Sequence, residues 1–252
     1  MKKHVVMIFG LMLAVSIFAQ DIKSIKMEDY RLDPKITTVL MDSLKDEGRS
    51  IYQQNNEFYV LGWSKDGKMA YIENRGIEGR GGHDLLFVIL DLVEDEEVFN
   101  KKISWYDDDG YGEIPGNCMS FTDCINRNSA EFNRELKKNG IILKPSKVLS
   151  VPFVDDKNNF FDFDINEIKH DYGEYGLLEM TYEIIARKNK SYKVLNRVED
   201  KICSYVLPTG YLKSPYENRI ALIVADVEFV FEGSEVFVNF YGCNLSKGFN
   251  KK

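Results

Sequence analysis

The chain has 252 residues, with 33 Lys and Arg against 40 Asp and Glu, a net charge of −7, and 44% apolar residues. That is ordinary globular usage. It argues against wholesale disorder, and no Gly-X-Y period or heptad array admits a fibrous class. No long basic block is present, so the clustered Lys and Arg that phosphate binding needs are missing and no nucleic-acid partner is expected.

The first residues read as an address. Lys2 and Lys3 are followed by an almost unbroken apolar run from Val5 to Phe18, and Ala19 offers a small residue for cleavage. This charged, apolar, small-residue order predicts a secretory signal over residues 1–19. The run is shorter than the roughly 20 residues a spanning helix needs. The expected product is a single secreted β-rich domain, residues 20–252, with no membrane span after cleavage. Losing Lys2 and Lys3 leaves 31 basic against 40 acidic residues, a net −9. Residence in the periplasm or outside the cell follows as the expected location.

Residues 20–56 are polar and mixed, with a weak helical signal between Pro34 and Lys45. Order sharpens at Phe58-Tyr59-Val60-Leu61, apolar on both faces as in a buried strand. Ser64-Lys65-Asp66-Gly67 is type I turn chemistry, with Gly67 at the positive-φ position. Lys68–Glu73 returns as the second strand of a hairpin. A glycine-rich loop, Gly76 to Gly82, leads to the apolar strand Leu85–Val93. Residues 94–117 read as loop. Then Cys118, Phe121, Ile125, Phe132 and Leu136 recur at helical steps, and Gly140 closes the run. This predicts one amphipathic helix over about 119–139, with a shorter alternative capped at Asn128.

After Gly140 the chain turns β-rich. Phe161, Phe163 and Ile165 alternate with aspartates. Leu178, Met180, Tyr182 and Ile184 alternate with Glu179, Thr181 and Glu183, as in a half-solvated strand. Lys188-Asn189-Lys190 turns into Tyr192–Arg197. Ile202–Leu207, Ile220–Phe231 and Glu235–Tyr241 complete eight or nine strands. The expected fold is mainly β (α+β): antiparallel sheets, sandwich-like, with one long helix packed on them.

The stretch Leu61-Gly62-Trp63-Ser64-Lys65-Asp66-Gly67-Lys68-Met69-Ala70-Tyr71-Ile72 resembles a blade hairpin of TolB-type β-propellers, with Asp91-Leu92 as the later Asp-Leu pair. A propeller needs at least four blades repeating the signal. No second W-S-x-D-G occurs, so the hairpin is read as a local turn solution. More widely, the chain resembles a family of predicted secreted bacterial proteins of unknown function. The shared pieces are the hairpin, the Gly140-Ile141 pair after the helix, and the close Ile220–Val230, Phe231-Glu232-Gly233, Glu235–Gly242. The resemblance implies export and a shared fold, and no activity.

Four cysteines in an exported chain allow two disulfides in three connectivities. Were Cys118 and Cys124 on one helix, six residues would set them near 9 Å apart, beyond the roughly 7 Å limit for bridged alpha carbons. Cys203 and Cys243, in strand-like segments, are placed to pair across a sheet. The alternative is that all four are small buried residues.

Candidate chemistry is sparse. Gly62-Trp63-Ser64-Lys65-Asp66-Gly67 misses the G-x-S-x-G elbow by one residue and precedes a strand, so Ser64 reads as a turn residue. The Gly76–Gly82 loop also precedes a strand, where phosphate loops place a helix. His83 and His170, each before an aspartate, would need neighbouring imidazoles to act as a pair. Asp107 and Asp109 before Gly110, with Glu113, are the best hint of a calcium site. Trp105, Tyr106, Tyr111, Tyr172 and Tyr175 lie in Gly- and Asp-rich stretches and would make a recognition patch if they cluster. The leading expectation is a non-catalytic binding or envelope-interaction module for an unknown protein or carbohydrate ligand. The rivals are a hydrolase using Asp, Glu and His, and a calcium-stabilised structural protein.

Overall fold

A computed structural model describes residues 21–37, 56–77, 82–106, 118–173, 178–230 and 233–251. Two 3₁₀ turns (Ile22–Ser24 and Met27–Tyr30) precede the strands β1 Glu57–Trp63, β2 Lys68–Ile77, β3 Gly82–Asp91 and β4 Glu96–Tyr106. Helix α1, Phe121–Lys138, follows. Then come β5 Ile142–Leu143, β6 Phe153–Val154, β7 Phe160–Tyr172, β8 Leu178–Lys188, β9 Ser191–Ile202, β10 Tyr205–Lys213, β11 Arg219–Val230, β12 Gly233–Asn244 and β13 Asn250–Lys251. The strands form three antiparallel sheets: sheet A in the order β4-β3-β2-β1-β5, sheet B in the order β10-β11-β12, and sheet C in the order β13-β9-β8-β7-β6. The mainly antiparallel body with one long helix is the expected class.

The side-chain period of two stacks these sheets into layers. On β1, Tyr59 and Leu61 join a core shared with α1, while Phe58 and Val60 join a core shared with sheet B. On β11, Ala221, Ile223 and Ala225 face sheet A, while Ile220, Leu222 and Val224 face sheet C. The order is therefore helix, sheet A, sheet B, sheet C. Sheet B is covered on both faces, which is why β11 reads as a continuous apolar run.

Helix α1 starts at Ser120, whose Oγ accepts from the Asp123 N–H at 3.1 Å; Asp123 Oδ2 in turn accepts from the Met119 N–H at 3.0 Å. This reciprocal cap outcompetes the Asn128 alternative, whose side chain instead donates to the Cys124 carbonyl. Ile125, Phe132 and Leu136 are buried, and Phe132 stacks on Phe87 of β3 at 4.2 Å. Gly140 ends the run at φ 65. The β1–β2 turn is also as expected, with Gly67 at φ 97 and the Ser64 N–H donating to the Lys68 carbonyl at 2.9 Å.

Three expectations are corrected. Residues 96–106 are not loop but the edge strand β4, antiparallel to β3 along ten residue pairs. Its charged residues disguised it: Lys101 pairs with Glu131 of α1 and Lys102 with Asp84 of β3, so the charges sit on a half-solvated edge. Ile202–Leu207 is not one strand. The chain leaves sheet C at Ile202 and enters sheet B at Tyr205, with the Ser204 N–H donating to the Val227 carbonyl at 2.8 Å. Finally, Cys118 lies before the helix rather than on it, so the helical-rise argument against a Cys118–Cys124 bridge loses its premise.

Candidate functional site

The residues of β11 that face sheet C run Ile220, Leu222, Val224 and then Asp226, which is 0% exposed. Its Oδ2 accepts from Lys201 Nζ at 2.6 Å and from Asn239 Nδ2 at 2.7 Å. Glu228, two residues along β11, receives the same ammonium at 3.0 Å. Two carboxylates thus share one lysine at the seam between sheets B and C.

Lys201 reaches this seam because β9 is irregular. Val198 packs in the B–C core, and regular alternation would send a residue three positions later to the opposite face. The β8–β9 ladder slips between Met180 and Tyr182, opposing Val198 to Tyr182 and Lys201 to Met180, with Asp200 at φ 46. On the other flank β7 bulges at Ile168, opposite the same step of β8. Thr181 holds the β9 irregularity, its Oγ1 accepting from the Asp200 N–H at 3.1 Å. Bulges re-aim side chains in this way.

Burial is the largest influence on Asp226 and pushes its carboxyl up to about 6, against the Lys201 ammonium that lowers it; the Glu228 charge adds to the rise. For Lys201 burial works downward, but the two carboxylates outweigh it and hold its pKa above the ordinary value. One ion pair therefore stabilises the ammonium without restoring the fully buried carboxylate. Burial also pushes up the Tyr182 phenol, raises Tyr241 to about 12 and raises the Cys203 thiol to about 12. Asp226 Oδ1 and Tyr182 Oη are buried without a hydrogen-bond partner among the described residues. The nest holds a fully buried acid whose carboxyl is pushed up to about 6, with Lys201 and Glu228 partly exposed at its rim.

Two open clefts lie elsewhere. One of about 490 Å³ is lined by Glu28, Arg31, Asp33, Ser146 and Lys147, the other of about 380 Å³ by Lys65, Asp66, Lys68, Lys138 and Asn139. The first borders the 3₁₀ turns and the second the β1–β2 turn; neither contains a residue of the nest.

The expected site residues scatter. Trp105 is buried and stacks on His83 at 4.2 Å, so it belongs to the helix–sheet A core. Tyr172 is 73% exposed at the end of β7. Tyr106 is the last residue of β4, and its side chain lies outside the description. Tyr111, Tyr175, Asp107, Asp109 and Glu113 lie outside the described residues. Among the described residues no group of three or more His, Cys, Asp or Glu is arranged to hold a metal. His83 is on β3 of sheet A and His170 on β7 of sheet C, with sheet B between them; His170 Nδ1 lies 3.4 Å from Glu167. Ser64 is buried in its turn, bound to the Lys68 backbone. Arg75, beside the glycine-rich loop, is held by Glu73 at 2.8 Å and lies over the Phe237 ring. The residues missed were Lys201, Asp226 and Glu228. Their signal was an Asp and a Glu interrupting the apolar run Ile220–Phe231, the pattern of a buried charge awaiting a partner.

Among the described residues several strand edges are left unpaired by any further strand, those of β4, β10 and β12 and part of β7. The short strand β6 covers β7 only at Phe160 and Phe161, and among the described residues no strand pairs with the outer side of β7 beyond them. From Glu167 to Tyr172 every residue is exposed, with Ile168 at 46%. Compared with known protein families, curated proteins and solved structures, the chain matches none. Among the described residues no helix is long and apolar enough to cross a membrane.

Proposed function

We propose that the chain is an exported, non-catalytic binding module that engages an extended segment of a partner protein along the outer edge of β7. The unpaired edge of β7 carries this reading. Main-chain groups of an open strand give affinity to an added strand, and exposed side chains along it give specificity. Ile168 and Tyr172 supply apolar points, while Glu167, Lys169 and Asp171 supply charge of both signs. The bulge at Ile168 divides the edge into two arms, so the partner strand follows a bend there. Export rests on the order of charge, apolar run and small residue at the amino terminus.

A photo-crosslinking residue placed at Tyr172, and in parallel at Val98 on the β4 edge of sheet A, tests the reading in cells producing the full chain. The expected result is one reproducible adduct from position 172 and none from 98. Equal labelling from both positions, or none from either, defeats it. Sequencing the amino terminus of the recovered protein tests export separately, with Gln20 the expected first residue.

A further inference from the structure

All four cysteines are free thiols, and all are buried. The cap of α1 brings two of them together. Ser120 is extended (φ −164, ψ 164), and the Met119 N–H bonds back to Asp123, so the chain before the helix folds over its first turn. The Cys124 N–H donates to the Ser120 carbonyl at 3.0 Å, which fixes Cys124 on that turn. Cys118 is fixed from the other side by its parallel bridge to Trp105 of β4. Both side chains enter the same helix–sheet A core, 5% and 0% exposed, where burial and, after it, the neighbouring Cys118 thiol push the Cys124 thiol up. Cys203 and Cys243 are not so placed. The Ser204 N–H, next to Cys203, bonds to the Val227 carbonyl toward one end of β11, whereas Cys243 pairs with Ile220 at the other. As it stands the chain holds four small buried thiols, the alternative to any pairing.

We propose that Cys118 and Cys124 are the oxidisable pair of this chain, closing a disulfide across the amino-terminal cap of α1 when the chain meets a disulfide oxidant. The oxidant is a small-molecule or protein disulfide. The Cys118 thiolate, on the more exposed residue, attacks one oxidant sulfur and releases the other as a thiol. The Cys124 thiolate then attacks the Cys118 sulfur of the mixed disulfide and releases the second thiol. One protein disulfide forms, one oxidant disulfide breaks, and the two electrons and two protons end on the two released thiols. Fraying of the helix cap, or the folding chain before the cap closes, gives the oxidant access. The bridge closes a loop of about seven residues and ties the start of α1 beside the end of β4, which stabilises chiefly by restricting the unfolded chain.

The test uses the purified full chain equilibrated in glutathione buffers from reducing to oxidising, quenched by alkylation, digested and mapped by mass without reductant. The expected product is a peptide linking Cys118 to Cys124, with Cys203 and Cys243 alkylated after denaturation. Adding dithiothreitol to the oxidised protein should lower its melting temperature by roughly 5 °C. That drop should vanish in Cys118→Ala and in Cys124→Ala. A Cys203–Cys243 link, four alkylated thiols across the whole range, or a reductant effect that survives Cys124→Ala overturns the proposal. The mapping on the unaltered chain stands even if a variant fails to fold. Defined redox buffers make the result independent of where the chain resides.

Discussion

Lys201 on β9 meets Asp226 on β11 across the seam of two sheets, Nζ to Oδ2 at 2.6 Å, with the carboxylate fully buried and the lysine side chain 22% exposed. An ion pair so placed costs more in lost hydration than an exposed one, and its value lies in not leaving either charge alone. Lys201→Met should therefore destabilise the protein by about 3 kcal/mol at pH 8. At pH 5 the cost should shrink, because Asp226, pushed up to about 6 by burial, already holds a proton there and leaves no buried anion for Lys201 to offset. Urea unfolding at the two pH values reads the difference; an equal cost at both would mean that Asp226 does not carry the charge.

Asp226 titrates near 6 in the folded chain, about two units above an ordinary aspartate, with burial the main cause. Below about pH 4 both folded and unfolded chains hold the proton, and nothing is lost. Between about 4 and 6 the folded chain binds more protons than the unfolded one, so stability falls as pH rises, and the full penalty stands above 6. Asp226→Asn cannot ionise. Its stability relative to the parent should improve between pH 4.5 and 7.5, by on the order of 2 kcal/mol. Asp95, also raised to about 6 by burial, contributes to both proteins and cancels in the comparison. A pH-independent difference would place the perturbed acid elsewhere.

What could be read from the residues, and what could not, divides along the range of the forces. Turn and cap chemistry is local, so Ser64–Gly67, the stop at Gly140 and the turn at Lys188–Lys190 were legible. The apolar period placed Phe132 and Leu136 on the buried face of α1. The edge strand β4 was not legible, because Lys101 and Lys102 find carboxylates on α1 and β3 that lie far off in sequence. The Lys201–Asp226 nest was hidden for the same reason, and also because a ladder slip, not the sequence period, sends Lys201 inward. The spacing of Cys118 and Cys124 was weighed only for a shared helix, and the cap at Ser120, which sets Cys118 before α1, removes that case.

Gly242 on β12 shows a second long-range constraint. A Cβ added there would sit 1.8 Å from the Leu92 carbonyl oxygen, where the turn between β3 and β4 docks on sheet B. The Gly242 N–H donates to Asp95 Oδ1 at 2.6 Å, and Arg219 donates to the same Leu92 carbonyl at 2.7 Å. Gly242→Ala must displace backbone, so it should cost about 3 kcal/mol or more in urea unfolding. Gly140→Ala is the contrast. Its nearest neighbour would be Ser64 Cβ at 4.0 Å, and only the φ of 65 opposes it, at about 1 kcal/mol. A smaller loss at Gly242 than at Gly140 would refute the docking.

Tyr172 and Ile168 separate binding from folding. Both are exposed side chains on the open half of β7, and neither belongs to a buried core cluster. Replacing each with Ser should change stability by no more than about 0.5 kcal/mol, as for other surface positions. If β7 is the recognition edge, the same changes should abolish the crosslink to a partner from a neighbouring probe at Asn166. Phe132→Ala gives the opposite pattern: it removes a buried ring stacked on Phe87 and should cost about 4 kcal/mol. At a temperature where that variant is still folded, it should leave the crosslink intact, since α1 and sheet C lie on opposite sides of the stacked sheets. Loss of the adduct in folded Phe132→Ala, or its persistence in the double Ile168→Ser and Tyr172→Ser variant, would rule out β7 as the binding edge.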